Sequence, residues 1–267
     1  MAEAEQSWPE PRANPRLLGQ EAAEAALLRA AESSRLPHAW MITGPRGVGK
    51  ATLAYRFARY LLAGAAAEEG QGAGLFGEEE LPKTGLGLPE DSPVFRRVAA
   101  GGEGDLLTLA RGVNEKTQKP RSEIVVEDTR NAISFLRMTS GAGGYRVLIV
   151  DAVDDMGSSA ANALLKVLEE PPEKAVLLLI SHAPGGLLPT IRSRCRKLGL
   201  PALPEATVVE LLGDFAPELG ADDRLALARM SGGSIGQALT LSRGGGLELY
   251  QEMIALLAGL PKLDIPR

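Results

Sequence analysis

The chain has 267 residues, of which 45% are hydrophobic and 24% are charged, and its formal net charge is −5. This length and composition are typical of a globular protein with an apolar core, in one large domain or in a large and a small one. A single cysteine excludes an internal disulfide and a cysteine-rich zinc site, two distant histidines argue against a histidine metal site, and no apolar run approaches the ~18–20 residues of a membrane span.

The first part of the chain predicts an arm, a helix, a strand and a second helix. Residues 1–16 are polar and contain prolines, so we expect a flexible arm, and because they lack the features of a secretory signal we expect a cytoplasmic protein. Alanines and leucines at helical spacing predict a helix over 20–33. A short buried strand is predicted over 38–43, and a helix over 51–62.

An acidic, glycine-rich segment covers residues 63–105. It contains nine acidic and three basic side chains and therefore carries a net charge of −6, so the rest of the chain is close to neutral. Ten glycines in the same segment predict a long mobile insertion without a packed core of its own. The overall acidity is thus local and does not argue against an anionic partner.

After the insertion, strands and helices alternate, which predicts an α/β domain with a mostly parallel sheet over 17–200. Strands are expected at Leu106–Ala110, Ile124–Val126, Arg146–Asp151 and Ala175–Ser181. Helices are expected to begin at Asp128 and to cover Ser158–Glu170. From Pro204 the pattern contains short helices only, which predicts a small all-helical lid domain over 201–244. Residues 245–267 contain one more predicted helix, from Leu247 to Leu260.

A glycine-rich loop joins the first strand to the second helix and fits the pattern G-x-x-x-x-G-K. Its candidate nucleotide-binding residues are Gly44, Gly47, Gly49 and Lys50. In such a P-loop, backbone N–H groups and a helix N-terminus surround phosphates, while the lysine reaches the β and γ oxygens. The alternative is an ordinary glycine-rich turn.

The loop lacks the hydroxyl that would hold Mg²⁺. The residue after the lysine is Ala51, where a P-loop has Ser or Thr. Thr52 is also a candidate nucleotide-binding residue, but one helix position is a rotation of ~100° away from the site. The loop is therefore expected to bind ATP or ADP weakly, and to hold the metal poorly.

Asp151 ends a continuous apolar strand and matches a Walker B aspartate, which coordinates the metal of a nucleotide. An acid that only caps the strand is the alternative. The next residue is Ala152 rather than an acid. Asp154 and Asp155 are expected to be solvated or to cap the following helix.

A basic cluster follows the last apolar strand and includes Arg192, Arg194 and Arg196. Such clusters are usually solvated surface. This one lies where it can reach a neighbouring molecule, and an arginine supplied in trans to a γ-phosphate stabilises the charge of phosphoryl transfer.

Three motifs in order resemble those of bacterial DNA polymerase III clamp-loader subunits, of the delta-prime type and in an alphaproteobacterial form. They are the P-loop Gly-Pro-Arg-Gly-Val-Gly-Lys, the stretch Ala161-Asn-Ala-Leu-Leu-Lys-Val-Leu-Glu-Glu-Pro-Pro172, and Ser193-Arg-Cys195. The resemblance covers about 17–241. It implies an AAA+ fold, with a P-loop α/β domain followed by a helical lid. It also implies a pentamer of one delta, three gamma/tau and one delta-prime subunit, which uses ATP to place a sliding clamp on primer–template DNA.

The resemblance also assigns roles to particular residues. Arg194 matches the arginine that acts in trans on ATP held by the neighbouring gamma/tau subunit, and Lys50 and Asp151 match the Walker A and Walker B residues. Ser181 lies at the sensor 1 position, where a surface hydroxyl at the end of a strand is an equally good interpretation. Gly236 stands where motor subunits carry a sensor 2 arginine.

The departures from the family at Ala51, Ala152 and Gly236 remove three different catalytic groups. We therefore expect a subunit of the DNA polymerase holoenzyme that does not hydrolyse ATP itself, requires no cofactor and has no zinc module. The alternative is an active gamma/tau-like clamp-loader ATPase, or another P-loop NTPase.

The resemblance places the helix after Asp151 beside the DNA. Asn162 and Lys166 lie four residues apart on one face of it, so they are candidate phosphate contacts, although an exposed solvated pair fits equally well. The expected partners are gamma/tau and delta, with the sliding clamp and DNA reached through the complex, and no membrane. Because the family has a third, helical collar domain, we expect the chain to stop within it and to assemble weakly. Cys195 is expected to have a buried packing role.

Overall fold

The computed structural model describes residues 8–33, 35–68, 85–113, 117–141 and 143–258. The chain divides into two compact units. The sheet unit comprises Pro9–Gly44 and Gly49–Pro201, and the helical unit comprises Met1–Trp8, Pro45–Val48 and Ala202–Arg267. The domain functions expected from the sequence stay predictions.

The sheet unit is built on a five-stranded sheet in which every neighbouring pair of strands is parallel, in the order β2-β3-β4-β1-β5. The strands are β1 Ala39–Thr43, β2 Leu106–Ala110, β3 Arg146–Asp151, β4 Ala175–Ser181 and β5 Arg196–Gly199. The predicted α/β fold with a mostly parallel sheet is thereby confirmed.

One strand assignment from the sequence is wrong, and one strand was missed. Residues 124–126 do not form a strand, since Ile124 makes one isolated bridge to Met156 and a helix begins at Val126. Two acids in its first turn, Glu127 and Asp128, favour that helix start electrostatically. The edge strand β5 was not predicted, because four residues are too few to show the alternation of apolar and polar side chains that is typical of a strand.

The three central strands β1, β3 and β4 are buried along almost their whole length. Their apolar side chains are covered on both faces of the sheet, as parallel strands require. Polar residues stand at their carboxyl ends, and the register places Thr43 opposite Ser181 and Asp151 opposite Ile180. These polar ends therefore lie along one edge of the sheet.

Six helices of the sheet unit lie within the described residues. They are α1 Glu21–Ala31, α2 Lys50–Glu68, α3 Pro93–Ala99, α4 Val126–Leu136, α5 Ser158–Glu169 and α6 Pro189–Arg194. The amphipathic α5 buries Ala161, Leu164 and Leu168 in a core that also contains Leu148 and Leu177 of the sheet. Pro171 and Pro172 follow α5 and stop it.

The expectation of an insertion without a packed core over 63–105 is wrong for the residues described there. Helix α2 continues to Glu68, and helix α3 follows with Ser92 as its N-cap, whose hydroxyl accepts from the Phe95 N–H at 3.2 Å. Leu88, Val94 and Val98 pack with Leu62 and Ala63 of α2. The apolar residues of α3 recur at helical spacing, and their packing stabilises the helix despite the glycines in the surrounding sequence. Residues 69–84 lie outside the described part of the chain.

The expectation of a flexible arm over 1–16 is wrong for residues 9–16, while 1–7 lie outside the described residues. Two arginines of α2 hold this segment by its backbone carbonyls. Arg59 donates to the carbonyls of Arg12 and Asn14 at 2.8 and 3.1 Å, and Arg56 donates to that of Pro15. Burial, and then the charge of Arg56, lowers the pKa of Arg59 to about 10, so the buried guanidinium stays cationic at neutral pH.

The described part of the helical unit consists of helices and their connections. The helices are α7 Glu205–Phe215, α8 Ala221–Met230, α9 Ile235–Arg243 and α10 Gly246–Ala258. Val208, Leu212, Leu227 and Leu239 are its most buried large side chains. The face of α10 that carries Leu249 and Leu256 is exposed, and the predicted end of this helix at Leu260 lies outside the described residues. None of the helices described is long and apolar enough to span a bilayer.

Candidate functional site

The glycine-rich loop has the backbone of a phosphate-binding loop, with positive φ at Gly44, Gly47 and Gly49. Only glycine fits at the first of these positions. A Cβ on Gly44, whose φ is +142°, would lie 2.3 Å from the carbonyl oxygen of Leu200. The loop sequence is therefore dictated by close backbone packing as well as by any ligand.

Lys50 begins α2, and its ammonium group is already engaged by the loop. Its side chain is buried, with 4% of the residue exposed, and Nζ donates to the Gly44 carbonyl at 2.6 Å. A buried ammonium requires a polar partner, and here the protein backbone provides one. In this arrangement the lysine braces its own loop.

The donor set for a magnesium–nucleotide complex is incomplete. The side chains of Ala51 and Ala152 have no oxygen to offer, and Ala152 is buried. Thr52 is 7% exposed on α2, and Asp151 remains as the partly buried carboxylate at the end of β3. These residues do not fit a Mg²⁺-bound triphosphate, which needs a hydroxyl and acidic groups around the metal.

Asp154 has a central place at the sheet edge that sequence reasoning missed. Its carboxylate accepts three hydrogen bonds from the end of β4, from Ser181 Oγ at 2.8 Å, His182 N at 2.7 Å and Ala183 N at 3.1 Å. The fully buried Ser181 is thereby committed to an internal contact. The neighbouring Asp155 forms a more exposed ion pair with Arg111 at 3.2 Å. The sequence signal was weak, because a carboxylate three residues after a strand usually caps a helix.

Tyr55 is a second residue that the sequence did not single out. Its hydroxyl is 2.7 Å from Thr108 Oγ1 of β2. Burial raises the pKa of Tyr55, and the negative charge of Asp151 raises that pKa further. Tyr55 is thus held neutral beside the Walker B position.

Gly236, which the resemblance places at the sensor 2 position, meets the glycine-rich loop through its backbone. In the helical unit, the Gly236 N–H donates to the Gly47 carbonyl at 3.1 Å. A Cβ on Gly236 would lie 2.9 Å from the Gly47 Cα, so no side chain fits there without a shift of the loop. Gly236 therefore allows two segments of backbone to meet where an arginine is expected in a motor subunit.

Arg194 ends the short helix α6 and has two anchors. Nη1 donates to the Thr190 carbonyl at 2.9 Å, and Nη2 lies 2.6 Å from Glu169 Oε1 at the end of α5. One third of the Arg194 side chain is exposed. Cys195 next to it is buried, as expected, and burial raises the pKa of its thiol to about 12, which keeps it protonated.

Asn162 and Lys166 line a groove of about 750 Å³ between α4 and α5. Two cations that sequence reasoning missed, Arg130 of α4 and Arg137 directly after this helix, line the same groove. They are seven residues apart, a helical spacing that becomes recognisable once α4 is known to begin at Val126. The groove has exposed positive charge and amide groups, a combination suited to an anionic polymer.

The chain matches known proteins over most of its length. Residues 19–204 match the family described as "DNA polymerase III, delta subunit". The chain is 35% identical to the DNA polymerase III subunit delta' of Pseudomonas aeruginosa over 85% of its own length, and 32% identical to that of Escherichia coli K12 over 87%. It is 30% identical to the DNA polymerase III subunit tau of E. coli K12 over 91% of its length.

The chain spans about three fifths of the delta' relatives, 61% and 62%, and 35% of the tau relative. Among solved structures, the RuvB Holliday junction branch migration motor of Thermotoga maritima matches with a TM-score of 0.51 at 15% identity, over 92% of this chain and 68% of that one. This likeness shows the fold alone, and it agrees with the expected α/β architecture of a parallel sheet followed by helices.

We predict that Asp154 contributes more to stability than its neighbour. Asp154→Ala leaves two backbone N–H groups and one hydroxyl without their acceptor, which costs about 3 kcal/mol of the free energy of unfolding, and Ser181→Ala costs about 1 kcal/mol. The matched control Asp155→Ala loses an exposed ion pair and costs less than about 1 kcal/mol. Urea unfolding measures the free energy of unfolding of all three variants. Equal losses for Asp154→Ala and Asp155→Ala would contradict the assignment.

Proposed function

The chain belongs to the family of DNA polymerase III delta subunits, and on that premise we propose that it is a delta-prime-type subunit of a clamp loader. In this function it does not hydrolyse ATP itself. It docks beside a gamma/tau subunit and supplies Arg194 to the ATP held there. The complex with gamma/tau and delta places the sliding clamp on primer–template DNA during replication.

The observation that carries the proposal is the state of Lys50. The lysine that would meet phosphate is buried and bound to Gly44 of its own loop, and the positions beside it and beside Asp151 are alanine. Such a site is better suited to a structural role of the loop than to the hydrolysis of ATP. Arg194, by contrast, is partly exposed on the surface of the sheet unit.

Arginine suits the function proposed for residue 194. Its guanidinium is charged at all working pH values and presents five N–H donors in a plane that matches phosphate oxygens. Positive charge delivered to the γ-phosphate stabilises the transition state of hydrolysis. The chain would thus contribute to a reaction whose substrate is bound elsewhere.

The same proposal assigns DNA contact to the groove between α4 and α5. Arg130, Arg137 and Lys166 provide three cations, and Asn162 an amide, along its walls. Contacts of this kind hold phosphates without reading sequence.

We predict that the isolated chain shows no Mg²⁺-dependent ATP hydrolysis above background, because the hydroxyl and acid that organise metal and water are replaced by Ala51 and Ala152. Steady-state release of phosphate measures the rate of hydrolysis. As a control within the complex, Lys50→Ala should leave the rate of hydrolysis unchanged. Robust turnover by the isolated chain that Lys50→Ala abolishes would favour the gamma/tau-like alternative.

Arg194→Ala is expected to slow hydrolysis at the one neighbouring gamma/tau site at least tenfold, since an arginine finger contributes ~10³–10⁵ in rate. The DNA-stimulated ATPase rate of the reconstituted complex then falls by the share that this site contributes. Subunit assembly, followed by size-exclusion chromatography, should be unchanged. Lys197→Ala removes an exposed cation nearby and is the charge-matched control. An unchanged rate for Arg194→Ala would refute the proposed function of this residue.

For the groove, we expect DNA affinity of the complex to fall steeply with added salt, since phosphate contacts release counterions. Lys166→Ala should weaken binding equally for unrelated DNA sequences and reduce the log–log salt slope by about 1. Arg96→Ala on α3 is the control for loss of one exposed charge. A salt slope identical for Lys166→Ala and the unaltered chain would argue against contact at this groove.

A further inference from the structure

We propose that Glu169 is a positioning residue for Arg194: its carboxylate fixes the direction in which the guanidinium leaves the surface. The inference deepens the proposed function and rests on it, since it assumes that Arg194 acts on nucleotide bound by a neighbouring subunit. It adds a second residue, from a different helix, to the group that serves that nucleotide.

The geometry provides two fixed points for one guanidinium. Glu169 Oε1 lies 2.6 Å from Nη2, and the Thr190 carbonyl accepts from Nη1 at 2.9 Å. Two contacts to a rigid plane define its orientation, whereas one would leave it free to rotate. Two of the five N–H donors are used in this way, so the other three remain for phosphate oxygens.

The place of Glu169 in its own helix gives independent support. It is the last residue of α5, where the carbonyl end of the helix dipole disfavours a carboxylate. Pro171 holds the end of the helix at this point, so the side chain has a fixed base. A nearby cation offsets the unfavourable position, and Arg194 of α6 provides it. The two helices are packed neighbours in the sheet unit.

A fixed direction matters because Arg194 has a long, flexible side chain. Ordering such a side chain at the moment of reaction costs conformational entropy, and prior anchoring removes part of that cost. The carboxylate also withdraws some positive charge, and ion pairs at exposed positions contribute little. The expected effect is therefore a change of about two- to fivefold in rate rather than an abolition.

The test uses the complex reconstituted with gamma/tau and delta, and measures kcat and KM for ATP in the presence of DNA. Glu169→Ala should lower the rate at the neighbouring site about two- to fivefold, so kcat of the complex falls by part of the loss seen for Arg194→Ala. KM should be unchanged, because the arginine stabilises charge that develops in the transition state. Glu169→Gln keeps an acceptor oxygen and should recover part of the loss. Glu170→Gln, one residue further along and without a described ion pair, is the matched control.

The double variant separates positioning from general structural damage. If Glu169 acts through Arg194, Glu169→Ala has no further effect on kcat in the Arg194→Ala background, since the two residues form one unit. An equal further loss in that background would overturn the inference, and so would an unchanged kcat for Glu169→Ala in a complex where Arg194→Ala is impaired. An unchanged kcat for Arg194→Ala itself would instead overturn the proposed function.

Discussion

The burial of three apolar strands on both faces is the constraint on which the rest of the structure depends. Helices cover strands β1, β3 and β4 on both faces of the sheet, so polar side chains are confined almost entirely to the ends of these strands. Arg146 stands at the amino end of β3, where it is paired with Asp105 at 3.3 Å and stacked on Phe135. At the other end the parallel register aligns Thr43 with Ser181. Any chemistry of the sheet unit is therefore concentrated along one edge.

Several polar groups along that edge and in the loop form hydrogen bonds within the protein itself. Lys50 binds the Gly44 carbonyl, and Ser181 binds Asp154. In the helical unit, the Gly236 N–H binds the Gly47 carbonyl. Internal hydrogen bonds of this kind satisfy buried polar groups and hold the loop and the strand ends in place.

Two segments show how tertiary contacts override local composition. Residues 9–16 and the part of the acidic segment around α3 looked unstructured because they are rich in proline, glycine and charge. Both pack on α2, where Arg59 donates to the first segment and lies 4.5 Å over the ring of Phe95 in the second. The composition of a segment does not reveal which other parts of the chain pack against it. Here a buried arginine of α2 contacts both segments, and neither composition indicates this.

The sequence by itself determined the alternating strands and helices, the strand-to-helix loop with Lys50, the aspartate that ends β3, and the missing groups at Ala51 and Ala152. These features depend on periodicity and residue identity over short spans, which are local properties. Only the tertiary structure decided which side chains meet: Asp154 with the end of β4, Arg130 and Arg137 with Lys166 across one groove, and Glu169 with Arg194. The members of these pairs lie 25 to 36 positions apart in the sequence, and the packing of whole helices and strands sets their distances, so no local pattern encodes them.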